Sequence, residues 1–167
     1  MTKEQFTQIT SNYDSHRPLL WEALEATKGL VVEMGCGWGS TPFLTEYCKS
    51  KHRELVSYEN NYDWFNKLID KFPDIKFVQE WNTVHSHCVN PAVVFIDHAP
   101  GERRKVDITR FANHAQIIVA HDTEPAADHG YKMRSELKKF KYLIDYETDG
   151  AWATAVSNYI DVTKFNL

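Results

Sequence analysis

Apolar residues in this chain fall in short runs, each ended by a turn signal and followed by a stretch with helical spacing, which predicts alternating strands and helices. The runs around Leu30–Val32, 54–58, 75–78, 92–97 and 116–120 read as five strands. Between them, 18–27, 40–50, 61–71, 102–113 and 128–139 suit helices. Pro18 fits the first turn of the lead-in helix, with Leu20 and Leu24 on one face, and Ser40 stands where a cap belongs, with Pro42 behind it. Residues 142–147 and 152–159, joined by Thr148-Asp149-Gly150-Ala151, read as a β-hairpin with an Asp-Gly turn. Five strands alternating with helices and closed by a hairpin predict a doubly wound, mostly parallel α/β sheet with an antiparallel strand at or near its edge. An all-parallel dinucleotide fold would need a further helix where this chain has its tight turn.

Composition narrows the picture. The 167 residues are expected to form a single domain, 1–167. A formal charge of −4 and no run of four or more Lys/Arg offer no footprint for a nucleic-acid backbone, so the expected partner is a small molecule. The first residues carry no apolar signal core, and no window reaches the roughly eighteen apolar residues of a membrane span, so no membrane association and a cytoplasmic location are expected. Cys36, Cys48 and Cys88 are odd in number and scattered, as reduced thiols would be.

The most informative stretch is Val31-Val32-Glu33-Met34-Gly35-Cys36-Gly37-Trp38-Gly39-Ser40. An apolar strand ending in an acid breaks into three spaced glycines, which supply turn conformations and let a ligand touch the backbone. The dinucleotide fingerprint Gly-x-Gly-x-x-Gly places its third glycine one residue later. Glu33, two residues before the first glycine, would repel a pyrophosphate and suits a sulfonium or ammonium group. That charge logic favours S-adenosylmethionine over NAD.

This segment resembles the first motif of the class I S-adenosylmethionine-dependent methyltransferases, acid-x-Gly-x-Gly-x-Gly at the end of the first strand. The resemblance implies a seven-stranded Rossmann-like sheet and a cofactor site at Glu33, Gly35, Gly37, Trp38, Gly39 and Ser40. It also implies that Glu59, ending the second strand, accepts the two ribose hydroxyls, as a carboxylate can. After the third strand, Glu80 stands where the family often meets the adenine amino group, and Trp81 is either an adenine wall, a lid or core.

The ends of the fourth and fifth strands, Asp97-His98 and His121-Asp122, resemble those of catechol-type metal-dependent O-methyltransferases. There an Asp and an Asp-Asn pair bind a divalent cation, so Asp97, His121 and Asp122 become expected metal ligands and catalytic residues. With one imidazole in the set, manganese, iron, zinc or a similar metal suits it better than magnesium. A metal there would lower the pKa of a substrate hydroxyl and orient it. The other reading is that Asp97 orients the methionine end of the cofactor or a turn, with His121 a general base or a wall residue. The lysine that often follows the first Asp in the metal-dependent members is absent from His98-Ala99-Pro100-Gly101.

His98, Arg103 and Arg104 are expected substrate contacts, because arginines at a helix N-terminus oppose the dipole and hint at an anion; salt bridges to Glu102 or Asp107 are the alternative. One of Tyr13, His16 and Arg17 is expected to touch ligand, and His85-x-His87 to be surface, because residues two apart on a helix diverge. Tyr142, Tyr146, Trp152 and Tyr159 are a possible homodimer edge. The whole implies methyl transfer to an oxygen, or less readily a nitrogen, of a small polar molecule. Two rivals are an iron-dependent hydroxylase on the same three residues and a non-catalytic S-adenosylmethionine-binding protein.

Overall fold

The computed structural model describes residues 1–84 and 90–167, so His85, His87 and Cys88 lie outside the described residues. Seven strands form one sheet: β1 (Val31–Met34), β2 (Leu55–Glu59), β3 (Lys76–Phe77), β4 (Val93–Ile96), β5 (Ile117–His121), β6 (Tyr142–Tyr146) and β7 (Ala153–Ser157). Their order is β3-β2-β1-β4-β5-β7-β6. The first five run parallel, and β7 is antiparallel to both β5 and β6. The doubly wound sheet with its closing hairpin is therefore as the hydrophobic pattern predicts. Strand order reverses between β1 and β4, and their carboxyl ends open the crevice where such sheets bind ligands.

Residues alternate across the sheet, and two buried layers follow. Val31, Val93, Phe95, Ile117 and Val119 face helices α1 (Lys3–Thr7), α2 (Arg17–Glu25) and α3 (Thr41–Ser50). Val32, Met34, Val94, Ile96 and Ile118 pack on the opposite side against Ile108 and Phe111 of α5 (Arg104–Phe111). The same period puts Glu33 on the side of Val31, beneath α3, and His121 on the side of Val119, towards α2. Helix α4 (Tyr62–Ile69) begins at Asn61, whose side chain accepts from Trp64 N and caps it.

Four features differ from the sequence pattern. The first residues form a helix, α1, with Phe6 fully buried among Trp21, Phe43 and Tyr47. The expected 128–139 helix is two short ones, α6 (Pro125–Tyr131) and α7 (Arg134–Leu137), separated by Lys132 in the left-handed conformation at φ 55. Asp128 bonds Arg134 N across this break at 2.7 Å, so a local side chain replaces the helical bond. The hairpin loop spans 147–152 rather than the expected 148–151, and neither Asp149 nor Gly150 takes the positive φ that a type I′ Asp-Gly turn requires. The Asn12 side chain packs directly over Gly150, where a Cβ would lie 2.2 Å from its amide oxygen and push it aside. Ser40 does precede α3, yet its hydroxyl bonds Glu33 and not the helix backbone.

Of the aromatics near the hairpin, Tyr142 and Tyr146 pack against the α2-side core, Trp152 donates to Thr148 O, and Tyr159 is the exposed one. Among the described residues, no helix is long and apolar enough to cross a membrane.

Because Phe6 makes α1 part of the main core, Phe6→Ala is expected to cost about 3–5 kcal/mol of unfolding free energy in urea titrations. A loss under 1 kcal/mol would mean that α1 docks without stabilising the sheet.

Candidate active site

The glycine turn is held by contacts that each exclude a side chain or consume a polar group. Gly35 has φ 91, and a Cβ on it would lie 2.6 Å from Asp97 C and His98 N, so the ends of β1 and β4 cross only because it is glycine. At Gly39 a Cβ would fall 2.3 Å from Tyr13 O, because the N-terminal segment crosses the turn. Gly37 is different: a Cβ there would meet nothing nearer than Gly39 N, at 4.0 Å. Cys36 N donates to Glu59 Oε2 at 3.0 Å, and Cys36 O accepts from the Trp64 indole at 2.7 Å.

Glu33 does not form the negative rim that the sequence led us to expect. It is fully buried beneath the turn, where Ser40 Oγ (2.6 Å) and Thr41 Oγ1 (2.9 Å) donate to its Oε1. Burial raises its pKa to about 7, held back by hydroxyls of Ser40, Ser57 and Thr41. Glu33 thus ties the start of α3 to β1. Glu59 is likewise turned inward, accepting from the amides of Cys36, Asn60 and Asn61. Burial leaves its pKa raised despite those three donors.

Beside the turn lies a cavity of about 630 Å³, walled by Tyr13, His16 and Arg17 of the N-terminal segment, by Cys36–Ser40 and Trp64, and by Asp97. All three residues from which one ligand contact was expected line it. The segment is clipped in place by Asp14, whose Oδ2 takes the amides of Thr10 and Ser11 while Oδ1 meets Arg17 at 2.6 Å. Arg17 in turn donates to Gly39 O and Gln8 O, both at 2.8 Å. His16 is 1 % exposed, packed on Phe95 and edge-on to His121, with neither ring nitrogen hydrogen-bonded. Burial, then the neighbouring His121, pushes its pKa down to about 3, so it is neutral.

Asp97, His121 and Asp122 do come together, with one ligand atom from each inside a 4.8 Å span. His121 Nδ1 lies 3.3 Å from Asp97 Oδ1 and 3.4 Å from Asp122 Oδ1, and its Nε2 pairs with Ser15 Oγ at 2.9 Å. Asp122 reaches the cluster through a left-handed backbone, φ 54. A fourth group completes the set: Arg104 Nη2 sits 3.1 Å from Asp97 Oδ1 and Nη1 sits 2.9 Å from Asp122 Oδ2. Burial disfavours the charged forms, but the opposite charges prevail: Asp97 is held down at about 2 by His121 and Arg104, and His121 rises above its ordinary value. Two carboxylates thus already face the Arg104 guanidinium, with the His121 ring beside them. The donor set is right for a divalent cation, yet a guanidinium already engages both carboxylates.

Known structures agree with this architecture. No family model matches the chain, and no curated protein matches it in sequence. Solved structures do match in three dimensions. Cofactor-bound Rv0187 from MTB superposes with a TM-score of 0.64 at 15 % identity, over 91 % of this chain and 83 % of that one. The METTL16 MTase domain gives 0.60 at 12 %, over 92 % and 71 %. The C-terminal domain of precorrin-6Y C5,15-methyltransferase from Rhodobacter capsulatus gives 0.57 at 17 %, over 94 % and 98 %. The chain has the class I methyltransferase fold.

On that methyltransferase fold, the other expected site residues lie away from the cavity. His98 is buried, stacked on Trp81 with centroids 4.3 Å apart, and its Nε2 is 3.0 Å from Asp107 Oδ2. Arg103 bonds Asp107 at 3.0 Å and Asn82 Oδ1 at 2.6 Å, which is the salt-bridge alternative with Asp107 as the partner. Asp107 also takes Arg110, so the anion that these arginines answer is internal. Arg104 is only 6 % exposed and has its donors spent inside the protein. Trp81 is a core residue that donates to Ala99 O, while Glu80 is exposed; neither lines the cavity. Sequence reasoning missed Asp14, Ser15 and Trp64. Ser-Asn-Tyr-Asp over 11–14 carries a capping-box spacing that pointed to Asp14; Trp64 left no comparable signal.

His16 gives this site a pH signature. Its depressed pKa means that the unfolded chain binds the proton first, so stability is lost as pH falls from about 6.5 towards 3. His16→Gln is expected to flatten the stability profile between pH 5.5 and 4 by about 1.4 kcal/mol per pH unit. Parallel profiles for the two proteins would show that His16 titrates normally.

Proposed function

We propose that this chain transfers the methyl group of S-adenosylmethionine to an oxygen of a small polar molecule. The observation that carries this reading is the bare backbone of Gly37, where even a Cβ would have no close neighbour, lining the same cavity as an ionised Asp97. Bare backbone admits the ligand, and a fixed carboxylate meets positive charge. When bound, the cofactor supplies an electrophilic methyl on a sulfonium. The chain's part is to position the acceptor and exclude water, which is the larger share of catalysis in such a transfer.

Roles within the strand-end set divide by environment. Asp97 is the member that lines the cavity, and its low pKa makes it an orienting hydrogen-bond acceptor and not a proton store. His121 and Asp122 act through it: both flank Asp97 or its arginine, fixing the carboxylate's rotamer. The two acids raise the pKa of His121 against the effect of burial, and its ring nitrogen stands between their carboxylates. His16 is the neutral imidazole on the same wall. The inward bonds of Glu59 leave it as support for the turn, with its ribose role resting on the family resemblance. The hydroxylase alternative needs iron among residues that Arg104 already engages, and the non-catalytic alternative leaves the fixed Asp97 without a task.

Gly37→Val separates cofactor binding from folding. The variant is expected to unfold at the wild-type temperature and to bind S-adenosylmethionine about tenfold or more weakly by calorimetry. Unchanged affinity would place the cofactor elsewhere. Asp97→Asn, which removes the charge that meets the sulfonium, is expected to weaken S-adenosylmethionine binding by about tenfold and to slow methyl transfer to an identified acceptor by about a hundredfold. Transfer at the wild-type rate would remove Asp97 from the site.

A further inference from the structure

Arg104 stands in the first turn of α5, where the helix dipole disfavours a cation, and it is nearly enclosed. Something must offset both costs. The structure gives it five partners: Nε to His98 O at 2.8 Å, Nη1 to His121 O at 3.2 Å and to Asp122 Oδ2 at 2.9 Å, and Nη2 to Asp97 O and Oδ1, each at 3.1 Å. The planar fork therefore bridges the ends of β4 and β5 and both carboxylates at once. Tyr131 lies against its other side, 5.1 Å from the guanidinium carbon to the ring centre.

We infer that Arg104 is a built-in replacement for the divalent cation at this strand-end cluster, so the site works without metal and takes an acceptor with one nucleophilic atom. The second half rests on the methyl-transfer reading; the first does not. A metal in this position would draw in two oxygens of a vicinal diol through open coordination sites. A guanidinium with every nitrogen engaged offers none. Asp97 spends Oδ1 on Arg104 and His121, leaving Oδ2 without a bond among the described residues, and Asp97 lines the cavity. One carboxylate oxygen positions one O–H or N–H group.

Removing the guanidinium leaves two carboxylates and an imidazole whose ligand atoms share a 4.8 Å span. That set attracts a divalent ion. The test is a titration of the full chain with Mn²⁺, read from the paramagnetic resonance signal of the free ion, with S-adenosylmethionine binding measured by calorimetry on the same preparations. Wild type and Arg104→Lys are expected to leave Mn²⁺ free. Arg104→Ala is expected to bind one Mn²⁺ per chain about tenfold or more tightly than wild type, and Arg104→Ala with Asp122→Asn to lose it. One Mn²⁺ bound per wild-type chain and lost in Asp122→Asn overturns the inference, as does a folded Arg104→Ala chain with no gain. If Arg104→Ala does not fold, the wild-type titration decides alone. Should the cofactor fail to bind while the Mn²⁺ results hold, the methyl-transfer reading falls and the substitution of arginine for metal stands.

Discussion

The site depends on a close approach that only a missing side chain permits. At Gly35 the chain leaves β1 and passes against the backbone of Asp97 and His98 as β4 ends, at a distance where no Cβ fits. This contact sets the glycine turn beside Asp97 and so places that carboxylate in the cavity wall. Glu33 then ties the turn to the start of α3 from below, and Glu59 and Trp64 hold it from the side of β2 and α4. Backbone groups of Cys36 in the turn are spent on these ties, while Gly37 lines the cavity with bare backbone.

Charge in this protein is arranged in closed sets. Asp14 with Arg17, Asp107 with Arg103 and Arg110, and Asp97 and Asp122 with Arg104 each place an acid against guanidinium groups in buried or half-buried surroundings. Buried pairs of this kind contribute little net stability, since desolvation consumes most of the attraction, but they fix geometry firmly. Here they hold the N-terminal segment on the turn, the start of α5 on the sheet, and Asp97 in one orientation. The cavity is thereby lined by two carboxylates, Asp14 held by Arg17 and Asp97 held from behind by Arg104, and by one neutral histidine.

Several chemical expectations moved once neighbours were known. Glu33, Arg103 and Arg104 are charged residues at strand ends or a helix start, and a linear reading sends them towards a ligand. In three dimensions Glu33 faces the α3 side of the sheet because strand residues alternate, and the arginines find Asp107, Asp97 and Asp122 within the protein. Tyr13, His16 and Arg17 moved the other way, from a loose expectation to the cavity wall. Their placement rests on Asp14 and on the absence of a side chain at Gly39, neither of which has a hydrophobic period to announce it.

What the sequence determined by itself was the sheet: buried β-forming runs separated by helical spacing can pack only as a doubly wound layer, and three glycines after an acid mark the turn at its switch point. Those signals are local and periodic, so they survive without knowledge of partners. The site's chemistry was decided by tertiary structure alone. Whether a carboxylate faces solvent, a ligand or an arginine depends on which distant residue shares its pocket. Thus Arg104 meets Asp122 eighteen positions away, and Ser15 meets His121 at a separation of 106, through contacts that no spacing along the chain encodes.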